Sequence, residues 1–211
     1  MAQASRKTGR QAQPSGVDSR QAILDAALRT FARAGYDGAS MPAIARLASV
    51  APPLIHYYFE TKERLWRETV EHSLGGLRVE ASAVLGATRS LAPLDRLRAL
   101  LQAYAEFAAR CPDHFSMIVA EARADSDRFD WLQVNYTGVL FDEVVTILGD
   151  ARAAGVIRDI PVKDLAVIMI GGILVHFTIY PPAEAPPADN PGAAGFVDFL
   201  FELMTMGVLA E

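Results

Sequence analysis

The sequence predicts an all-helical protein, and three observations carry this prediction. Apolar residues recur at steps of three and four along most of the chain, which is the spacing of one buried helix face. No stretch shows the alternation of apolar and polar residues, bounded by turns, that is typical of strands. Pro112, Gly155 and Pro161 stand where helical patterns end.

The first 17 residues are polar and lack apolar periodicity, so we expect a disordered tail over 1–17. The tail is basic, and it could follow a DNA backbone or enter a minor groove, as other basic arms do. A tail without any such role is the alternative. The basic residues concerned are Arg6, Lys7 and Arg10.

The first helix is predicted to begin near Ser19 and to end at Gly35, which can serve as its C-terminal cap. Its apolar residues share one face at helical spacing. They are Ile23, Leu24, Ala27, Leu28 and Phe31.

Residues 40–59 spell two short helices separated by a tight turn. Ser40 can cap the first of them, and residues 49–52 interrupt it. Pro53 can occupy the first position of the second helix, where its missing N–H costs nothing. The first helix is predicted to bury one face, made by Ala43, Ile44, Leu47 and Ala48.

The second of these helices runs to about Phe59 and separates two faces. Ile55, Tyr58 and Phe59 share an inner side, which can anchor the helix. The outer side can be presented to a partner, as a helix-turn-helix presents its second helix to the DNA major groove. The outer residues are Pro53, His56, Tyr57 and Glu60.

A fourth helix is predicted from Lys62, with Thr61 as its cap, continuing through Leu74. Gly75 and Gly76 weaken helical structure, so a bend or a mobile segment is expected there. Further helices are predicted beyond it, with a Pro/Ala-rich loop at 181–192. Their approximate ranges are 93–110, 112–124, 127–154, 162–180 and 193–209.

Charge divides the chain into two unlike parts. Residues 1–66 hold nine Lys and Arg against five Asp and Glu, a balance of +4, whereas the remainder holds eleven against twenty, a balance of -9. The front part can approach phosphate and the back part would avoid it.

Composition bounds the class and the compartment. The 211 residues are 51% hydrophobic, ample for a sizeable core. The run at 165–180 is short for a membrane span, and no signal peptide is evident, so we expect a cytoplasmic protein without membrane partners. One cysteine, Cys111, excludes an internal disulfide and a multi-cysteine zinc site.

The string from Ile23 through AALRTFARAGYDGASMPAIARLASV to IHYYFETKERL resembles the amino-terminal DNA-binding domain of TetR-family transcriptional regulators. The resemblance covers about residues 19–66. It implies a three-helix helix-turn-helix domain at 18–66, followed at 67–211 by a helical domain for ligand binding and dimerisation. It implies a transcriptional regulator with double-stranded DNA as the partner. A repressor released from DNA by its effector is the hypothesis, and an activator or a corepressor that strengthens DNA binding stays open.

The resemblance places six positions at the DNA surface, and Tyr57 and Lys62 suit phosphate contacts. The chain departs from the family at the start of the second helix, where Ala51 to Leu54 replace residues that are commonly polar, basic or glycine. Readout there would use methyl contacts, His56 and DNA shape. The six positions are Ser40, Pro52, Pro53, His56, Tyr57 and Lys62.

The resemblance also implies a homodimer, formed through the last two helices, on a palindromic operator. We expect a mainly apolar effector in the carboxy-terminal domain, and no cofactor. The predicted ligand residues are Phe107, Phe115, Ile118, Trp131, Asn135, Tyr136, Met169, His176 and Phe177. Phe141, His114, Glu121 and Tyr180 are further candidates.

Two other classes stay open from the sequence. An enzyme is disfavoured, because no Gly-rich phosphate loop, nucleophile elbow or metal-spaced cluster is present, and Glu121 with His114 is a weak acid/base pair. A small-molecule binding or interaction protein that has lost specific DNA readout is the stronger alternative. Pro52 and Pro53 are its only support.

Overall fold

A computed structural model describes residues 16–124, 126–179 and 192–209, and these residues are almost wholly helical. Within them the backbone forms no strand, apart from an isolated bridge between Ile157 and Leu209. The all-helical prediction is confirmed. The helices are α1 Gly16–Gly38, α2 Met41–Leu47, α3 Pro52–Phe59, α4 Lys62–Ala87, α5 Pro93–Arg110, α6 Pro112–Ala124, α7 Asp127–Leu132, α8 Gly138–Ala153, α9 Val162–Ile179 and α10 Gly192–Gly207, with a π-helical segment Gln133–Thr137 before α8.

We call α1 to α3 and the first turn of α4 the head, and the remaining described residues the body. In the head, α1 packs against α2, α3 and α4 around a shared apolar core. The predicted face of α1 is buried, and the helix begins at Gly16, three residues before Ser19. Gly35 breaks α1 with φ +66, a left-handed conformation that glycine adopts without strain.

The predicted caps around α2 and α3 are present. The Ser40 Oγ accepts from the Ala43 N–H at 3.3 Å, and the Thr61 Oγ1 accepts from the Arg64 N–H at 3.1 Å. One prediction for α2 is wrong: Leu47 is 50% exposed, and the buried residues are Met41, Ile44 and Ala45. Met41, Ile44 and Ala45 share one face of the helix, and at 3.6 residues per turn Leu47 lies roughly 100° away from the centre of that face.

Gly75 and Gly76 do not interrupt α4, which runs unbroken from Lys62 to Ala87. Its packing against α1 and α5 holds the helix through both glycines. Tertiary contacts of this kind override a local preference of about 1 kcal/mol per glycine. One helix therefore begins in the head and ends deep in the body.

The predicted helix at 127–154 is divided by a π-helical segment. The Gly138 N–H bonds to the Gln133 carbonyl, one residue further back than in an α-helix. A Cβ at Gly138 would lie 2.6 Å from that carbonyl oxygen, so glycine alone fits without a shift. The extra residue turns Tyr136 and Thr137 relative to α7.

In the body, α5 packs against α4, α8, α9 and α10, while α6 packs against α1 of the head. The two last helices leave apolar side chains exposed on their outer sides. Tyr180 and most of the predicted loop at 181–192 lie outside the described residues. The exposed apolar residues of α9 and α10 are Val167, Ile168, Val175, Phe199 and Leu203.

Candidate nucleic-acid interface and internal cavity

The orientation of α3 is fixed by its underside. Ile55 and Phe59 are completely buried in the head, whereas Tyr57 is 78% exposed. His56 is exposed as well, as are Pro53 and Glu60. The four outward residues, Pro53, His56, Tyr57 and Glu60, form what we call the presenting face.

Sharp turns bound α3 at both ends. Ser49 precedes it with φ +57 and Glu60 follows it with φ +56, both in the left-handed region that non-glycine residues seldom adopt. The Val50 N–H bonds back to the Ala45 carbonyl at 3.0 Å, which closes the first turn. These turns hold the short helix at a defined angle to α2.

The start of α3 offers few hydrogen-bond donors. Ala51 precedes it without a side-chain cap, and Pro52 and Pro53 occupy its first two positions. Proline has no N–H, so the first turn presents apolar rings in place of backbone donors. Pro52, not Pro53, is the first helical residue, because the helix begins one position earlier than predicted.

Lys62 is held at the junction between α1 and α4. Its Nζ lies 4.4 Å from the centre of the Tyr36 ring and 3.4 Å from the Asp37 carbonyl oxygen, to which it donates. The guanidinium carbon of Arg128 lies 3.7 Å from the centre of the same ring. Two cations from different parts of the molecule therefore share one aromatic ring.

Arg128 continues this connection into the body. Its Nε donates to Glu121 Oε2 at 3.0 Å, and the Ser126 Oγ donates to the same oxygen at 3.0 Å. Glu121 is only 2% exposed, so its carboxylate depends on these two donors. A continuous set of contacts thus joins Lys62 in the head to α6 in the body.

A second set of contacts, between aromatic rings, lies where the head meets the body. Trp66 and Trp131 meet edge to face with ring centres 5.7 Å apart, and the Arg67 guanidinium lies 5.3 Å from the Trp131 ring. Trp131 therefore packs at the junction of α4 and α7. It does not line the cavity described next.

A cavity of about 600 Å³ lies in the body between α4, α5, α6, α8 and α9. This volume is within the usual range for small-molecule sites. Its lining is mainly apolar but includes charged groups. The lining residues are Leu74, Leu77, Arg78, Ala81, Ser82, Leu85, Gly86, Arg89, Arg96, Tyr104, Phe115, Ile118, Tyr136, Thr137, Val139, Leu140, Glu143 and Ile170.

Three of the nine predicted ligand residues line this cavity, namely Phe115, Ile118 and Tyr136. Phe107 lies in the core and stacks on His114, and Asn135 is exposed and donates to the Trp131 carbonyl at 2.7 Å. The other four predicted residues do not line the cavity. They are Trp131 at the α4 junction, Met169 and Phe177 in the core, and His176, which stacks on Phe196.

His114 and Glu121 do not form an acid/base pair, since each has other neighbours. His114 is buried, its ring lies 5.2 Å from that of Phe107, and its Nδ1 has no hydrogen-bond partner. Burial lowers the pKa of His114 to about 4, and His72 adds to the shift, so the ring is neutral near pH 7. Burial raises the pKa of the Cys111 thiol, which disfavours a reactive thiolate.

Two groups of residues were missed by sequence reasoning. Arg46 is exposed in the last turn of α2 and makes no ion pair with the residues that the structure describes, so it is a further candidate for phosphate contact. The second half of α4, with Arg78, forms one cavity wall. Its signal was present, because Leu74, Leu77, Ala81 and Leu85 recur at helical spacing.

Over the described ranges, no cluster of three or more His, Cys, Asp or Glu could hold a metal ion. None of the helices described is long and apolar enough to cross a membrane.

The helix-turn-helix and its neighbours match a known family. The family model described as "Bacterial regulatory proteins, tetR family" matches residues 23–69. This stretch of the chain is that of a TetR-family regulator. The matched range contains most of α1, all of α2 and α3, and the start of α4.

Relatives of the chain carry regulator names. The HTH-type transcriptional regulator BetI of Rhizobium meliloti is 41% identical over 83 residues, covering 39% of this chain and 40% of that protein. The chain thus matches about two fifths of that relative. The HTH-type transcriptional repressor NicS of Pseudomonas putida is 27% identical over 216 residues, covering 96% of this chain and 98% of that protein.

Solved structures of TetR-like regulators share the fold. The ketosteroid transcriptional regulator KstR2 of Mycobacterium tuberculosis superimposes with a TM-score of 0.74 at 19% identity, covering 91% of this chain and 95% of that chain. The TetR-family regulator PfmR of Thermus thermophilus gives a TM-score of 0.69 at 18% identity, covering 90% and 96%. These similarities extend the family's fold over both head and body.

Proposed function

We propose that this chain is a DNA-binding transcriptional repressor that reads the major groove with α3. The observation that carries the proposal is the fixed outward position of the presenting face. Ile55 and Phe59 anchor α3 from below, and His56 and Tyr57 lie exposed on its other side. A helix held in this way can enter a groove without rearranging its own domain.

The residues of this surface divide by chemistry. The Tyr57 hydroxyl and the Lys62 ammonium suit phosphate oxygens, which position a protein without reading sequence. His56 can bond to a base edge, and the Pro52 and Pro53 rings can contact a thymine methyl. Ser40 supplies a further hydroxyl next to the α2 N-terminus, where its Oγ already caps the helix.

We propose a homodimer through α9 and α10. Val167, Ile168 and Val175 on α9 and Phe199 and Leu203 on α10 are each about half exposed or more, which is unusual for so many large apolar groups in a pair of neighbouring helices. A two-fold dimer would place two α3 helices on successive major grooves. Its operator would be a palindrome with half-sites about 34 Å apart.

Regulation would follow from the path of α4. The helix carries Lys62 at its start and lines the cavity from Leu74 to Gly86, so a ligand in the cavity touches the same rigid element that holds a phosphate contact. A ligand that binds more tightly when the two heads do not match the grooves would release DNA by linkage. We therefore propose that the effector binds in the cavity.

We retain the domain division at 18–66 and 67–211 as a proposal. The boundary falls within α4, so the two parts share a helix and are not joined by a flexible linker. A DNA-binding regulator acts where the chromosome is, so we propose a cytoplasmic location.

The proposal is tested in two steps. Genomic fragments that bind the protein are selected first, and fluorescence anisotropy then measures the affinity for the selected duplex. Lys62→Met should weaken binding to every duplex and lower the salt slope by about one, because it removes one phosphate contact. His56→Ala should also change the preference among sites. Arg123→Met, which removes an exposed cation of α6, is the control for Lys62→Met and should bind DNA as the unaltered chain does.

A second candidate function is small-molecule binding without specific DNA readout. It is favoured by the start of α3, where Ala51 gives no side-chain cap and Pro52 and Pro53 offer no N–H. Under this alternative no genomic fragment is enriched, even at low salt. Enrichment with an affinity that does not depend on salt would instead contradict phosphate contacts by Lys62 and Tyr57.

A further inference from the structure

We propose that the cavity binds an elongated apolar molecule that ends in a single anionic group, a carboxylate or a phosphate monoester. The inference rests on the proposed function only in regarding this ligand as the effector. Binding itself depends on the cavity alone.

The shape of the cavity follows from α4. Seven residues of this helix line the cavity, and the last six lie 3, 4, 7, 8, 11 and 12 positions after the first, which makes one continuous stripe. From Leu74 to Gly86 the stripe is about 18 Å long at 1.5 Å per residue. Leucine and alanine side chains predominate along it, so a long apolar body fits better than a compact polar one. The seven residues are Leu74, Leu77, Arg78, Ala81, Ser82, Leu85 and Gly86.

The charge of the lining is positive. The lining contains three arginines, Arg78, Arg89 and Arg96, and one carboxylate, that of Glu143. Its formal charge is therefore +2. This contrasts with the balance of -9 over residues 67–211. An otherwise acidic part of the chain thus concentrates arginines around its cavity.

Arg96 has unused donors. Its Nε is buried without a hydrogen-bond partner, and its Nη1 lies 3.9 Å from Asp150 Oδ2, beyond hydrogen-bond distance. An unpaired buried N–H is costly, and an anion placed against it would remove that cost. A guanidinium also matches carboxylate and phosphate with two parallel bonds.

Arg89 adds a second cation to the lining, where the end of α4 leads into the start of α5. It lies in the turn after α4, seven residues before Arg96 in the first turn of α5, and makes no ion pair in the part of the chain that the structure describes. Arg78 differs, since its guanidinium already lies 5.9 Å from the Tyr136 ring. Arg89 and Arg96 are therefore the expected partners of the anionic group.

Four probes with the same eight-carbon tail test the proposal by isothermal titration calorimetry on the full chain without DNA. They are octanoate, octyl phosphate, octanol and octyltrimethylammonium, each below its micellar concentration. One or both anions should bind more tightly than octanol and the cation, and the stronger of the two identifies the head group. Binding of octanol or the cation as tight as that of the anions overturns the proposal, and so does binding by neither anion.

The double variant R89Q/R96Q tests the assigned arginines. It should weaken anion binding about 10- to 100-fold, the loss expected for charged hydrogen bonds, and change octanol binding less than about twofold. Arg123→Gln is the control, an exposed α6 arginine that does not line the cavity. Unchanged anion binding in the double variant refutes the assignment.

If the double variant does not fold, Gly86→Leu tests whether the probes bind in this cavity. A Cβ at Gly86 meets only open space, so the larger side chain can enter the cavity and should weaken all four probes. Gly149→Leu on α8 also has open space at its Cβ but does not line the cavity, and should leave them unchanged. Equal effects of the two variants would exclude this cavity as the site. Failure of DNA binding alone would refute the proposed repressor and leave these results standing.

Discussion

The head and the body of this protein differ in how far local sequence signals determine their surfaces. In the head, short helices are capped, bounded by sharp turns and closed over buried aromatic residues. In the body, the helices surround a cavity and leave apolar side chains exposed.

The difference has a physical reason. A surface that meets duplex DNA meets nearly the same phosphate geometry every time, so few side-chain arrangements suit it. A cavity for a small molecule can be lined in many ways on one helical scaffold, since its shape and charge follow the ligand. The head is therefore recognisable from sequence, and the chemistry of the body must be read from structure.

The largest expected effect distinguishes the buried side of α3 from its exposed side. Phe59→Ala should lower the free energy of unfolding by about 3–5 kcal/mol, because it empties a fully buried site in the head. Tyr57→Ala should change it by less than about 0.5 kcal/mol and weaken DNA binding. Urea denaturation and anisotropy measure the two effects, and a stable Phe59→Ala protein would contradict the described core.

A comparable effect is expected at the junction of head and body. Arg128→Met should cost about 3–5 kcal/mol, because Glu121 is left buried with one remaining donor, from Ser126. The double variant E121Q/R128M should recover much of that loss, since no unpaired charge remains. Equal losses in the single and double variants, measured by urea denaturation, would show that packing of Arg128 matters more than its charge.

A pH-dependent loss of stability is expected from His114. Its pKa is near 6.5 in the unfolded chain and about 4 in the folded protein. Between these values the unfolded chain binds more protons, so the contribution is complete above pH 6.5 and declines as the pH falls towards 4, by up to about 3 kcal/mol.

His114→Leu should flatten this part of the stability profile, and urea denaturation at several pH values measures it. His56→Leu on the exposed face of α3 is the control and should keep the slope. An identical slope with and without His114 would assign the acid sensitivity to other groups.

The smallest expected effect compares two glycines of the body. Gly86→Ala should stabilise the protein by up to about 1 kcal/mol, since its Cβ has open space within a helix. Gly138→Ala should destabilise it, because its Cβ would lie 2.6 Å from the Gln133 carbonyl oxygen. Melting temperatures should move in opposite directions, and a shared direction would argue against the π-helical segment.

The sequence was sufficient for the head because its signals are local. Ser40 and Thr61 are caps, Gly35 breaks α1, and the inner face of α3 follows from periodicity within eight residues. The predicted burial of Leu47 was wrong, since burial at the end of a short helix depends on which neighbouring helix covers that residue.

The body was predicted less well because its decisive features are not local. Gly75 and Gly76 suggested a bend or a mobile segment, yet α4, which packs against α1 and α5, continues through both glycines. The unpaired Nε of Arg96 depends on the distance to Asp150, which lies 54 positions later in the chain. No sequence pattern marks the inserted residue of the π-helical segment.

The unbroken course of α4 has a mechanical consequence. At 26 residues the helix is about 39 Å long, and a tilt of about 5° over that length displaces one end by about 3 Å relative to the other. This displacement equals the reach of one ammonium-to-phosphate bond. An angular change too small to disturb the walls of the cavity would therefore be enough to pull Lys62 out of register with the double helix.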